Sequence, residues 1–121
     1  MDDIIETLKK ARSFINTKRF WCQRNMEVYT WDKDGFHCKR CLVGAICKAS
    51  NNPLSHINIL RDPLLTNTFK YVTNFISKKE EDEKKKVSDI QLLIRFNDNE
   101  ETEYNNVRDL LDIAISNAKE L

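Results

Sequence analysis

The stretch Phe20–Ala49, FWCQRNMEVYTWDKDGFHCKRCLVGAICKA, decides how this chain folds. It holds both glycines, all four cysteines and both tryptophans of the 121 residues. Met26–Trp31 and Phe36–Cys38 are rich in aromatic and β-branched residues, with Asp32-Lys33-Asp34-Gly35 between them. Asp-Gly between two such runs predicts a β-hairpin, because glycine takes the positive φ of a tight reversal. After the turn the apolar period changes. Leu42, Ala45, Ile46 and Ala49 recur at helical spacing, so a helix begins near Cys41. Gly44 lies inside it, where glycine costs about 1 kcal/mol relative to alanine. That cost points to a close backbone contact, with another helix or with the hairpin itself.

Working outward, Ile4, Leu8, Ala11 and Ile15 form one apolar stripe, widened by Ile5 and Phe14. They predict an amphipathic helix over about Asp3–Asn16, with Asp2 and Asp3 at its positive end and Lys18 and Arg19 at the other. Ser50-Asn51-Asn52-Pro53 ends the Cys41 helix. Leu54–Leu60 fits either a helical turn or an extended segment. Asp62-Pro63 is an N-cap followed by proline at the first helical position, and Leu65, Phe69, Val72 and Ile76 give the buried face that follows.

Lys78–Lys86, KKEEDEKKK, is either a solvated helical extension or a mobile linker. Val87–Phe96 is too short for periodicity to separate helix from buried strand. Asn97-Asp98-Asn99 breaks it, and Thr102 reads as the N-cap of a last helix burying Val107, Leu110, Leu111, Ala114, Ala118 and Leu121. The expected fold is mainly α with one β-hairpin, a compact single domain over 1–121 with four or five helices. The first helix, the Cys41 helix, the Asp62-capped helix and the last helix share the core.

Composition narrows the function classes. The net charge is +1, so no global polyanion partner is implied. No apolar run approaches the roughly 20 residues of a membrane span. The acidic start MDDIIETLKK lacks the regions of a signal peptide. A cytoplasmic protein with reduced cysteines is expected, with no membrane partner.

Two pieces of the chain together resemble a known family. One is Trp21-Cys22-Gln23, then Gly35, then Cys41-Leu42-Val43-Gly44-Ala45. The other is Asn97-Asp98, then Thr102 and Val107. This order resembles domain of unknown function 6197, a family of small bacterial and phage proteins. Phe96 stands where that pattern has tryptophan, and Cys22, Cys38 and Cys47 lie outside it. The resemblance implies a single fold unit and no particular activity.

Four sites follow from the residues. Cys38-x-x-Cys41, beside His37 and with Cys22 or Cys47 in support, has the spacing of half a zinc site. A second close pair is missing, so no cofactor is favoured, and buried or surface thiols are the plainer reading. Cys41 near a helix N-terminus, after Lys39 and Arg40, has the setting of a nucleophile. Gln23 would serve an oxyanion, and Asn97 or Asp98 would orient a base. His37 and His56 are the only histidines, and neither belongs to the pattern, so no catalytic constellation is complete.

Asn97-Asp98 reads as a turn; the sharper alternative puts Asp98 over the hairpin. There Trp21, Gln23, Cys41, Asn97 and Asp98 would line a ligand site. Finally, aromatics interleave with cations in the hairpin, as single-strand nucleic-acid binding requires. Thr17–Ala49 has seven Lys or Arg against three acids, and Val87–Leu121 has eight acids against three Lys or Arg. Packing of these regions on one another accounts for this more simply. The favoured function is a small binding protein, an accessory factor of a phage or bacterium that binds a host protein or small ligand. The alternatives are a Cys41-dependent enzyme and a single-stranded nucleic-acid-binding module.

Overall fold

The computed structural model describes residues 2–33, 35–50, 62–76 and 87–119. Helix α1 (Asp2–Phe14) leads through a 3-10 turn (Lys18–Phe20) to strands β1 (Glu27–Asp32) and β2 (Gly35–Arg40). Helices α2 (Leu42–Ala49), α3 (Pro63–Thr73), α4 (Asp89–Asp98) and α5 (Tyr104–Lys119) complete the described elements. Among the described residues, five helices and one antiparallel hairpin form a single compact domain, as the sequence predicts.

The hairpin closes tightly, with Asp32 paired to Gly35 and Trp31 to Phe36. Gly35 has φ of 105°, the conformation that selects glycine there. Helix α2 follows directly. Seven of its eight residues are buried and Lys48 alone is exposed. A short helix that is apolar on every side belongs in the centre of a domain. Around it pack α1, α4 and β2, while α3 and α5 also pack against α1. Leu8, Ile15, Leu42, Ile46, Leu65, Val72, Leu93, Val107 and Leu111 are fully buried in one cluster.

Gly44 explains how α2 reaches this position. A Cβ there would sit on the carbonyl of Met26, 2.9 Å from its carbon. The close contact inferred from Gly44 is therefore with the chain entering the hairpin. Cys41 N–H donates to that same Met26 carbonyl at 3.3 Å.

Polar bonds fix the outer helices. Asp62 Oδ1 accepts from Leu64 N and caps α3, with Pro63 at its first position. Tyr71 Oη donates to the Ala114 carbonyl and Tyr104 Oη to the Ile15 carbonyl, each at 2.7 Å. Arg12 and Asp112 join α1 to α5 at 2.9 Å.

Four expectations are refined. The ambiguous run 87–96 is helical, because Ser88 and Gln91 form a capping box at the start of α4. Asn97-Asp98 completes that helix instead of breaking it. Helix α5 starts at Tyr104, and Asn106 Oδ1 accepts from Glu103 N–H at 2.7 Å at its head, the place predicted for Thr102. Lys18 and Arg19 belong to the 3-10 turn, and Arg12 occupies the last turn of α1. The readings of 54–60, 78–86 and Leu121 lie outside the described residues.

Gly44→Ala is expected to lose about 1–3 kcal/mol or more, since neither backbone can yield without moving the hairpin. Urea denaturation measures it; an unchanged midpoint would contradict the contact.

Candidate functional site

Three separated segments meet at Asn97. It sits in the last turn of α4 and is fully buried. Its Oδ1 accepts from Trp21 Nε1 at 2.8 Å and from Leu42 N at 3.0 Å. Its Nδ2 donates to the Cys22 carbonyl at 3.1 Å and to Asp98 Oδ1 at 3.0 Å. A carboxamide has two donor hydrogens and an oxygen with two lone pairs, so this side chain is satisfied in full.

Leu42 is the first residue of α2, and its amide is one that a helix leaves without an internal partner. Asn97 thus caps α2 from another helix. Cys41 Sγ adds a local cap, accepting from Gly44 N at 3.3 Å. Gln23 crosses the same junction, its Nε2 donating to the carbonyls of Asn97 at 2.8 Å and Asn99 at 3.1 Å. Asp98 Oδ1 also accepts from Arg24 N at 2.8 Å. Arg24 has φ of 70°, a strained value for arginine that this bond holds in place.

The structure therefore brings Trp21, Gln23, Asn97 and Asp98 together, with Cys41 one residue from the contact. These groups spend their bonds on one another and on backbone. Beside them lies an open cleft of about 470 Å³, lined by Lys18, Trp21, Gln23, Thr102, Glu103, Tyr104 and Asn105. Asn97, Asp98 and Cys41 are not among its lining residues.

The thiols are held in the protonated form. Burial pushes Cys47 up to about 12 and Cys22 up to about 11, from an ordinary 9.0. Neighbouring thiols add to both shifts, Cys41 at Cys47, and Cys41 and Cys38 at Cys22. Burial also raises Cys41, which is 5% exposed, against the lowering effect of the Gly44 and Val43 amides.

The zinc candidates are spread over different contacts. His37 Nε2 lies 2.9 Å from Thr30 Oγ1, and its ring packs edge-on to Phe20. Cys38 follows it in a strand and so points to the opposite face. Cys22 Sγ donates to the Asn25 carbonyl at 3.3 Å, and Cys41 Sγ caps α2. Among the described residues, no three His, Cys, Asp or Glu side chains group as a metal site.

The hairpin aromatics separate into two environments. Trp21 is tied to Asn97, whereas Trp31 is 79%, Tyr29 59% and Phe36 54% exposed. The latter three share one face of the hairpin. Tyr29 stacks on Phe36 with centroids 5.5 Å apart, and Trp31 lies 5.1 Å from Phe36. The flanking Arg40 pairs with Glu27 at 3.1 Å, and Arg19 with Asp32 at 3.2 Å.

Alternation along the sequence puts Tyr29 and Trp31 on one face, and the register Trp31↔Phe36 in the structure adds the third ring. The asparagine junction, by contrast, had only its order along the chain as a signal. No helix among the described residues is long and apolar enough to cross a membrane.

Fold and junction together define a small helical domain whose one hairpin is locked to its core by a buried asparagine. The chain matches the model for the Family of unknown function (DUF6197) over residues 1–117, and it belongs to that family. No curated protein and no solved structure matches it.

Asn97→Ala would leave the Trp21 and Leu42 N–H groups and the Cys22 carbonyl without their partner. A loss of about 3 kcal/mol or more is expected in chemical denaturation. A loss below about 1 kcal/mol would show that water replaces the side chain.

The raised thiols make a second prediction. The folded protein keeps protons on Cys22 and Cys47 that the unfolded chain releases above about pH 9. Their contribution is complete below pH 9 and is lost as pH rises towards 11–12. Stability should fall across that window, and fall less in Cys47→Ala measured against its own neutral-pH value; identical pH slopes would remove Cys47 as the cause.

Proposed function

We propose that this chain is a non-enzymatic interaction protein that meets another polypeptide through the Tyr29–Trp31–Phe36 face of its hairpin. The observation that carries this is the exposure of three large rings on one surface, Tyr29 and Trp31 each packed on Phe36. Isolated exposed apolar residues are ordinary, but a contiguous aromatic patch in a soluble domain marks a contact surface. Aromatic residues and arginine within a polar rim are also the composition of protein interfaces.

Two further facts support a polypeptide partner. Arg40 and Arg19, the arginines beside the rings, are paired with Glu27 and Asp32, which weakens their attraction for a phosphate chain. Cys41 is buried with its pKa raised, the reverse of what a thiolate nucleophile requires. A role as an accessory factor in a bacterium or phage accords with this reading.

Photo-crosslinking in living cells tests it. Benzoylphenylalanine replacing Trp31 should yield a discrete polypeptide adduct; the same group replacing Ile113, exposed on α5, should not. No adduct from Trp31, or equal yields from both positions, would defeat the proposal. An adduct sensitive to nuclease would transfer the surface to nucleic acid.

A further inference from the structure

The backbone of the hairpin carries information beyond its aromatic side chains. In an antiparallel pair, residues alternate between those bonded across the ladder and those whose main-chain groups point outward. The bond from Cys41 N–H to the Met26 carbonyl sets the phase. With the register Glu27↔Arg40 through Asp32↔Gly35, it assigns Val28, Thr30 and Asp32 to the ladder. Glu27, Tyr29 and Trp31 therefore aim their N–H and C=O groups away from β2. On β2 the outward Arg40 carbonyl is covered, since it accepts from Cys22 N at 3.1 Å. Among the described residues, no corresponding backbone bond covers Glu27, Tyr29 or Trp31.

Strand β1, EVYTWD, is thus an open edge of strongly strand-forming residues. Its acids, Glu27 and Asp32, stand at its two ends, and it has no lysine, no proline and no bulge. A bare edge of this kind pairs with another strand.

We infer that the occupant is a second copy of this chain, with β1 pairing antiparallel to its twin about Tyr29. This rests on the hairpin being the contact surface. Three observations select the twin. First, outward groups fall on odd residues, so a two-fold axis at Tyr29 sets Tyr29 opposite Tyr29 and Glu27 opposite Trp31. Every outward group then meets a partner, in about six main-chain bonds. Second, the charges on this face are Glu27 and Arg40, already neutralised as a pair. Two copies therefore meet without like-charge repulsion. Third, a two-fold contact closes on itself, removing the open β1 edges of both copies at once. The aromatic faces merge into one six-ring surface across a four-stranded sheet.

Sedimentation equilibrium of the full chain, combined with amide hydrogen exchange at low and high concentration, tests the pairing. The expected result is a rise from 14.3 kDa to twice that mass with concentration. The amides of Tyr29 and Trp31 should gain at least about tenfold protection over the same range, while Val28 and Thr30, already bonded to β2, change little. Tyr29→Pro removes an outward donor together with the ring, leaves the ladder bonds to β2 in place, and should weaken association at least about tenfold. Tyr29→Lys, which places like charges face to face without altering the backbone, should do the same. A monomer at every concentration would overturn the pairing, as would a dimer whose Tyr29 and Trp31 amides stay unprotected. Should the crosslinker at Trp31 capture a different protein while the chain stays monomeric, the pairing alone fails. If it captures nothing and the chain stays monomeric, the interaction reading fails as well.

Discussion

One carboxamide holds the architecture in register. Asn97 is buried completely, and each of its polar hydrogens and its oxygen has a partner in another part of the chain or in the adjacent aspartate. A buried amide is costly unless satisfied, so the arrangement of Trp21, Cys22 and Leu42 around it is close to all-or-nothing. The consequence is geometric. The start of α2, the approach to the hairpin and the end of α4 are fixed relative to one another by directional bonds. Apolar packing among Leu42, Ile46 and Leu93 supplies burial without such direction.

This junction changes the meaning of the residues around it. Gln23 and Asp98 have the chemistry of a binding site when read along the chain. In space they brace carbonyls of residues 97 and 99 and the strained amide of Arg24. Cys41 looks like an activated thiol because it precedes a helix. Its sulfur serves that helix instead, as an acceptor for Gly44, and burial keeps its proton on. Polar residues that converge in a small domain can thus be scaffold, leaving the surface chemistry to the exposed rings of the hairpin.

Much of the fold was legible in the sequence because its signals were local. Asp-Gly placed the turn, Asp62-Pro63 the start of α3, and the stripe Leu8–Ala11–Ile15 the buried side of α1. Gly44 even pointed to a backbone contact, although only the structure identifies Met26 as the neighbour. The run 87–96 was not decided by its apolar spacing; the Ser88–Gln91 capping box, four positions long and independent of periodicity, decides it. Asn97 was harder. Its neighbours are some 55 to 76 residues away along the chain, and no local rule distinguishes a turn asparagine from one that reaches across the core. The aromatic face was half visible: alternation puts Tyr29 and Trp31 on one side, but only the three-dimensional arrangement separates them from Trp21.

The bond from Tyr104 to the Ile15 carbonyl, spanning 89 residues, bears on how the chain is made. Helix α1 packs against α5, and both α1 and α3 contact it. A nascent chain leaving the ribosome presents α1, the hairpin and α2 long before α5 emerges. Until then the apolar side of α1 around Leu8 and Ala11, though met by α2 and α3, lacks the cover that α5 supplies, and the rings of Tyr29 and Trp31 on β1 are exposed. Synthesis therefore passes through a stage in which the chain is adhesive on two sides, and completion of α5 closes one of them.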